Sequence, residues 1–526
     1  MTGTGVVEMS LRELVKPVGR LLDTATGLEI SAGQLLARSR SVAAGLRRIG
    51  LRAGDRIGLL LPNGVDWFVL HLAAAELGLL TVPVNTRYRR TEIAELLRRS
   101  GCRALAVDTA FRGLGFAETV RALVEQDGLE FDVLITTGDD DLPGGVSLAT
   151  LATTVADGPD AGPDLQAPLI VFGTSGTTSA PKLAMHVVTG VTEHARHVAA
   201  ALGLGPDDVV LGLLPPCGAY GYTVAMAALA AGARLVLLPT FSPSGLADLV
   251  AEHGVTFLAA TEAILRPALA ATGAMGKLGT WRVGVTAGGS VTDLVTTLDA
   301  AGTRLVNVYG SSELLALTAL RDPAADGAAR AVPGGTPVGR GLEVRVADAA
   351  SGEILPHGRD GELQFRGYCA FTGYLGQPVA SAAARTADGW YRSGDHGRTA
   401  SDGRSFDYLS RLADTMRLRG FLVDPAQVEE VLIAHPSVTV AQVVGVPVAA
   451  TGEDVAIAFV VGGLPGHRPI EEADLAGWCR ERLAGFKVPA RFVVIDAIPT
   501  TPSANGDKAL KRALRERAAR ILDESP

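Results

Sequence analysis

The aliphatic run Leu169-Ile170-Val171 gives way at once to Phe172-Gly173-Thr174-Ser175-Gly176-Thr177-Thr178-Ser179-Ala180-Pro181-Lys182. A short apolar run closed by glycine predicts a buried strand, which makes the hydroxyl-rich segment the loop at that strand's end. Glycines let backbone N–H groups turn inward to form an anion-binding concavity, the Ser and Thr hydroxyls add donors, and Lys182 adds a point charge. This composition suits wrapping a polyphosphate. A Walker loop requires Gly-Lys-Ser/Thr, whereas Lys182 follows Pro181 and precedes Leu183, so that template fails. Ser179-Ala180-Pro181-Lys182 fits Ser-x-x-Lys, but Pro181 disfavours the helical turn that motif needs, and no Lys-Thr-Gly completes it. A plain Ser/Thr-rich surface loop is the remaining alternative.

The text around the loop predicts an α/β protein. Ser31–Ile49 has apolar residues at helical spacing behind a Ser N-cap. Strand-like runs at 55–61, 79–84, 103–108 and 132–137 alternate with helical stretches such as Val65–Leu77, the pattern of a parallel sheet with crossover helices. Residues 158–163 are polar and Gly/Pro-bearing and read as a linker. A second α/β stretch covers 209–308, and 332–407 turns to short strands and Gly-rich turns such as Gly361–Gly367, a small β-rich subdomain. Asp424-Pro425 reads as an N-cap and first helical residue. Strands at 438–446, 455–461 and 491–495 and a helix at 471–483 then make a small α+β domain. The expected division is 1–411 and 412–526.

With 526 residues, 47% hydrophobic and 20% charged, the chain supports several buried cores. A net charge of −8 argues against a nucleic-acid partner. Cys102, Cys217, Cys369 and Cys479 lie far apart without metal-ligand spacing, which points to a reducing compartment. The N-terminus carries no secretion-signal pattern, so a cytoplasmic location is expected. The uncharged run Val209–Ala233 is long enough to span a bilayer, but Pro215, Pro216 and four glycines break it, which favours a buried strand–loop–helix.

Further segments carry chemistry. Asn307-Val308-Tyr309-Gly310-Ser311-Ser312-Glu313 closes a strand, where ligands of α/β sheets sit. A carboxylate beside a triphosphate there can hold Mg²⁺, and Tyr309 offers a flat ring to a purine. Thr286-Ala287-Gly288-Gly289-Ser290 supplies a paired-glycine turn. Trp390-Tyr391-Arg392-Ser393-Gly394-Asp395 presents an acid able to accept two hydroxyls side by side. Tyr408-Leu409-Ser410-Arg411 ends the expected first domain, and Pro499-Thr500-Thr501-Pro502-Ser503-Ala504-Asn505-Gly506-Asp507-Lys508 approaches the C-terminus.

In this order, from about Ser31 to Arg515, the segments resemble the adenylate-forming superfamily: acid–CoA ligases, peptide-synthetase adenylation domains and beetle luciferases. The chain looks nearest to the acid–CoA ligases. The resemblance implies a large N-terminal domain of two α/β subdomains plus a β-rich subdomain, followed by a small α+β domain that rotates between two half-reactions. It implies ATP, Mg²⁺ and an acid as ligands, with CoA or an amine as acceptor. A homodimer is compatible with it. It places Thr174, Ser175, Gly176, Thr177, Thr178 and Lys182 on the β,γ-phosphates, and Gly288, Gly289, Asn307, Tyr309, Gly310 and Ser311 around the nucleotide. Ser312 would contact the α-phosphate, Glu313 with Thr174 the metal, Asp395 and Arg411 the ribose, and Lys508 would catalyse adenylation. Cys217, Gly218, Tyr220 and Thr261, with Ala287, Ser290 and Leu314, would line the acid pocket.

The chain departs from the family pattern at several points. Ser179 and Leu183 replace glycines, Gly218 stands where a His gates the CoA tunnel, Ala413 replaces the hinge acid with Asp414 next, and Asp507 is one extra residue before Lys508. No acid lies between Asp208 and Asp248 to pair an ammonium, so an α-amino acid is disfavoured. Small Gly218, Ala219, Ala287 and Gly289 with largely apolar Tyr220 and Leu314 predict an aromatic or medium-sized apolar acid. Two acceptor readings stay open: CoA, or a non-CoA route giving an amide or activating nitrite for diazotisation.

Overall fold

The computed structural model describes residues 8–523 apart from 139–141, 156–163, 175–181, 289–290, 413, 415, 419–420, 424, 449–452, 463–469 and 502–507. The chain forms two compact units, Met1–Glu343 with Phe365–Tyr391, and Val344–Gln364 with Arg392–Pro526.

Among the described residues the first unit holds two large sheets. One has eight strands in the order Gly373–Tyr374, Leu183–Val187, Pro168–Gly173, Leu80–Pro83, Arg56–Leu60, Ala104–Asp108, Val133–Thr137, Gly145–Ser147. The other has seven, in the order Arg304–Asn307, Val283–Thr286, Phe257–Ala259, Val209–Gly212, Arg234–Leu237, Arg20–Asp23, Glu29–Ser31. Pairing is parallel except at one end of each sheet. The sheets exchange chain segments. Arg20–Asp23, near the start, lies parallel to Arg234–Leu237 of the second sheet, whereas Pro168–Gly173, Leu183–Val187 and Gly373–Tyr374 complete the first. Sequential reading splits these stretches by position; pairing with an open sheet edge does not respect position.

Local chemistry explains the elements. Ser31 accepts from the Gln34 N–H while the Gln34 side chain accepts from the Ser31 N–H, a reciprocal cap that starts helix Ala32–Arg48. Gly78, at φ +70°, ends helix Val65–Leu77. That helix and Ala219–Ala231 are apolar nearly all round, and both are buried. His71 joins them, with Nε2 2.8 Å from the Tyr222 hydroxyl and Nδ1 3.0 Å from Thr81 Oγ1. The uncharged run is therefore a strand, a turn and a core helix, and no described helix is long and apolar enough to cross a membrane.

Gly361–Gly367, Tyr391–Thr399 and Phe406–Arg411, whose residues fall mostly in the second unit, are neighbouring strands, the expected β-rich part. Val438–Val448, Glu453–Gly462 and Arg491–Val494 make a three-stranded sheet whose side chains alternate between two cores. Ala441, Val443, Ala458 and Val460 face helices Pro425–Ile433 and Glu472–Arg482, while Val444, Val446, Ile457 and Phe459 face Leu514 and Ala518 of helix Lys511–Asp523. Pro425 opens its helix as expected; Asp424 lies outside the described residues.

Candidate active site

The site in the first unit is built on strand ends. Strand Pro168–Gly173 runs into the hydroxyl-rich loop and Leu183–Val187 returns antiparallel to it. The Thr174 N–H donates to the Lys182 carbonyl at 2.8 Å, closing the neck of the loop. Ser175, Gly176, Thr177 and Thr178 lie outside the described residues, as do Ser179, Gly289 and Ser290. Leu183 packs in the apolar core, which accounts for a leucine where family members have glycine. Lys182 leaves that core, its ammonium 5.0 Å from the Tyr374 ring centroid.

Beyond strand Arg304–Asn307 the chain makes a short 3-10 turn, Ser312–Leu314. Ser312 Oγ donates to the Gly173 carbonyl at 3.2 Å, tying this turn to the neck of the phosphate loop. Glu313 is buried, its Oε1 accepting from the Tyr374 hydroxyl at 2.9 Å and its carbonyl accepting from the Phe371 N–H at 2.8 Å. Leu315, Ala316 and Leu317 follow with φ of 60°, 53° and 44°, a left-handed run that costs non-glycine residues backbone strain.

Three side chains hold this segment. Thr223 Oγ1 donates to the Leu315 carbonyl, His194 Nε2 donates to the Ala316 carbonyl at 2.8 Å, and His186 Nε2 donates to the Ser312 carbonyl at 2.7 Å. A carbonyl only accepts, so both imidazoles carry hydrogen on Nε2. Burial drives each down to a pKa of about 4, with the carbonyl bond opposing the shift. At neutral pH they are uncharged struts. Gly310 is required here: a Cβ on it would lie 2.6 Å from the Leu317 nitrogen.

Asn307 is fully buried and donates to the Ala331 carbonyl at 3.0 Å. Buried Arg330 braces the same strand, donating to the Leu305 carbonyl at 2.9 Å and pairing with Asp299. Tyr309 stacks on Phe365, with centroids 5.4 Å apart and planes 20° from parallel. At Gly288 a Cβ would meet Glu262 Oε1 at 2.9 Å, the mobile end of a partly exposed side chain, so a larger residue there would only displace that carboxylate.

In the expected acid pocket, Gly218 caps helix Ala219–Ala231 and Leu314 is fully buried, while Ala287 is exposed. Burial pushes the Cys217 thiol up to about 12, which rules it out as a thiolate nucleophile near neutral pH. The Tyr220 hydroxyl and Thr261 Oγ1 are buried without a hydrogen-bond partner among the described residues. Thr261 is the N-cap of helix Glu262–Ala270 yet makes no capping bond.

Within the second unit Asp395 and Arg411 meet across paired strands, Arg411 Nε 3.0 Å from Asp395 Oδ1. Lys508 lies on a two-residue strand antiparallel to Thr500–Thr501; Pro502–Asp507 lie outside the described residues. Asp414 pairs with Arg515, and Lys511 lies 3.9 Å from Asp414 and 3.3 Å from Glu429.

The structure thus gathers Lys182, Thr174, Ser312 and Glu313, and separately Asp395 with Arg411. Sequence reasoning missed Tyr374, His186, His194 and Thr223, because nothing in their spacing marks them. Among the described residues no three His, Cys, Asp or Glu side chains group as a metal cage. One buried carboxylate beside a phosphate-type loop fits Mg²⁺ held chiefly by substrate phosphates and water.

Comparison with known proteins accords with this geometry. The family model for the AMP-binding enzyme matches residues 19–375, and that for the AMP-binding enzyme C-terminal domain matches 427–505. The 4-coumarate–CoA ligase 5 of Oryza sativa subsp. japonica is 30% identical over 95% of this chain and 91% of its own. ATP-bound MatB of Rhodopseudomonas palustris superposes with a TM-score of 0.83 at 25% identity, covering 98% of this chain and 100% of that one. The amide bond synthetase McbA of Marinactinospora thermotolerans gives 0.82 at 25% identity, covering 97% and 98%.

Proposed function

Because the chain belongs to the adenylate-forming AMP-binding enzymes and is an AMP-forming ligase of the acid–CoA ligase branch, we propose that it adenylates an aromatic carboxylic acid with ATP and passes the acyl group to coenzyme A. The carrying observation is the convergence of Lys182, Ser312 and Glu313 at the neck of one loop.

A carboxylate has no good leaving group. Attack of its oxygen on the α-phosphorus of ATP forms a phosphoryl–oxygen bond, breaks the bond to the bridging oxygen and releases pyrophosphate, leaving AMP as the next leaving group. Charge develops on phosphate oxygens, so fixed cations and donors do most of the work. In this reading Lys182 and the loop hold the β,γ-phosphates, Ser312 the α-phosphate, and Asp395 with Arg411 the ribose, while Lys508 supplies the transition-state cation. Mg²⁺, held by Glu313, would neutralise phosphate charge. The left-handed turn behind Glu313, clamped by neutral His186 and His194, keeps the carboxylate fixed without adding charge. The chain divides functionally into 1–411 and 412–526.

In this reading the acid carries a hydrogen-bonding ring substituent, because the Tyr220 and Thr261 hydroxyls are buried without a partner among the described residues and such a substituent would supply one. Gly218, with no side chain where a gating His is expected, supports a second reading with a smaller or non-CoA acceptor, in line with the likeness to an amide bond synthetase. Pyrophosphate exchange over a panel of plain, hydroxy- and amino-substituted aromatic acids tests the first half. Repeating it with CoA, amines and nitrite decides the acceptor: AMP release that depends on CoA supports the first reading, and an amide or diazo product without CoA supports the second. No exchange with any acid would refute adenylation.

A further inference from the structure

Lys182 and Glu313 bring opposite charges to one place, yet no ion pair joins them among the described residues; each meets Tyr374 instead. The tyrosine presents two different surfaces. Its ring, negative on the face, lies 5.0 Å from the Lys182 ammonium. Its hydroxyl donates to Glu313 Oε1 at 2.9 Å.

Tyr374 is firmly seated. Its backbone pairs with Ala184, two residues after Lys182, and its N–H donates to Ser381 Oγ at 2.8 Å. Its ring packs on Phe371 at 4.7 Å, and the Phe371 N–H donates to the Glu313 carbonyl. The same short segment is thus docked on Glu313 by backbone and by side chain, and on the strand of Lys182 by register.

We propose that Tyr374 is a positioning residue that keeps the lysine and the carboxylate from collapsing onto each other, so that each is presented separately, the ammonium to phosphate and the carboxylate to the divalent cation. A direct ion pair in this half-buried site would satisfy both charges and oppose both ligands. A ring face holds an ammonium more loosely than a carboxylate does, so a polyphosphate readily takes the lysine over. The hydroxyl commits one oxygen of Glu313 and fixes the plane of the group, as outer-shell partners of metal-binding carboxylates do. The inference rests on the metal role given to Glu313 above.

The test uses the full-length protein, Mn²⁺ as probe and a non-hydrolysable ATP analogue, with Mn²⁺ binding read by electron paramagnetic resonance. Tyr374→Phe keeps the ring and drops the hydroxyl; Tyr374→Leu drops both. Tyr374→Phe should weaken Mn²⁺ binding roughly tenfold or more, raise the Mg²⁺ concentration for half-maximal pyrophosphate exchange in parallel, and leave analogue affinity without metal unchanged. Tyr374→Leu should in addition weaken the analogue, and adding Glu313→Gln should recover that part by removing the competing charge. Unchanged Mn²⁺ binding in Tyr374→Phe, while Glu313→Gln loses it, overturns the inference and leaves the metal reading intact. Unchanged Mn²⁺ binding in Glu313→Gln overturns both.

Discussion

Arg411 Nε lies 3.0 Å from Asp395 Oδ1, joining two residues expected at the ribose. Asp395 is buried whereas the Arg411 side chain is about half exposed, so the carboxylate depends more on the pair than the arginine does. The Arg411 guanidinium also donates to the Ser393 carbonyl at 3.1 Å, which fixes its direction. Removing Arg411 leaves a buried charge without its cation, a loss of roughly 1–3 kcal/mol given the solvent on one side. Arg411→Ala should therefore lower the urea midpoint more than Asp395→Asn does. Both should raise KM for ATP in pyrophosphate exchange, Asp395→Asn the more strongly because it removes a ribose acceptor. Equal stability losses with unchanged KM would reduce the pair to a structural role.

His186 and His194 have folded pKa values near 4, below the ordinary 6.5, because burial penalises the charged ring. His71 is lowered further, to about 3, for the same reason. The unfolded chain then binds more protons between about pH 6.5 and 4, so stability is full above 6.5 and is lost as pH falls through that window. Each of the two site histidines accounts for roughly 3 kcal/mol at the acid limit. His194→Gln should lower stability at pH 7 through its lost geometry, yet give a flatter slope between pH 6.5 and 4.5 in urea titrations. An unchanged slope would mean that His194 does not titrate as a buried group.

Gly310 has no room for a side chain. Its Cβ would meet backbone atoms of Ala316 and Leu317 at 2.6–2.7 Å, and these belong to the left-handed run, which cannot retreat without unwinding. Gly310→Ala should cost roughly 1–3 kcal/mol of stability. It should also disable pyrophosphate exchange at temperatures where the chain is still folded, because Ser312 and Glu313 hang on that turn. Full exchange activity in a folded Gly310→Ala protein would show that the turn does not position the two groups.

Apolar runs and helical spacing are enough to place helices Ala32–Arg48 and Val65–Leu77 and the central strands of the eight-stranded sheet, because local period and composition dictate those elements; most strands of the seven-stranded sheet are legible only as one α/β stretch. Lys182 stands out because its loop's composition already suits phosphate binding, whereas Glu313, Asp395 and Arg411 draw attention through the resemblance of their segments to the superfamily, since a lone acid or arginine at a strand end has no local signature. Other features were not legible. The pairing of Arg20–Asp23 with Arg234–Leu237 depends on a sheet edge formed some two hundred residues later in the chain. Tyr374 is a lone tyrosine in a sequence without a motif until the fold sets it beside Glu313. His186, His194 and Thr223 act on carbonyls, and a carbonyl leaves no signature in a side-chain pattern.

Lys508 follows a segment that resembles the superfamily's catalytic tail, with Asp507 as one extra residue, and its backbone pairs with Thr501. Removing a preorganised cation from a developing phosphate charge typically costs about 10²–10³ in rate. Lys508→Ala should lose that much in pyrophosphate exchange while keeping its thermal midpoint. Transfer from a supplied acyl adenylate to CoA should survive, since AMP is already the leaving group there. Loss of both half-reactions would assign the lysine to general structure.

Tyr220 is almost wholly buried, and burial raises its phenol pKa far above the usual value, so it remains a neutral donor and acceptor. A buried hydroxyl without a partner carries a desolvation cost of about 1–3 kcal/mol that a bound acid can relieve. Tyr220→Phe removes that cost without changing shape. Its expected signature is a change in selectivity: kcat/KM for hydroxy- or amino-substituted aromatic acids falls about tenfold against the unsubstituted acid, and the free protein becomes slightly more stable. Thr261→Val should act in the same sense, and the two together should approach additivity if they meet different atoms of the ring substituent. A selectivity profile that Tyr220→Phe leaves unmoved would place the substituent elsewhere and return the pocket to a purely apolar reading.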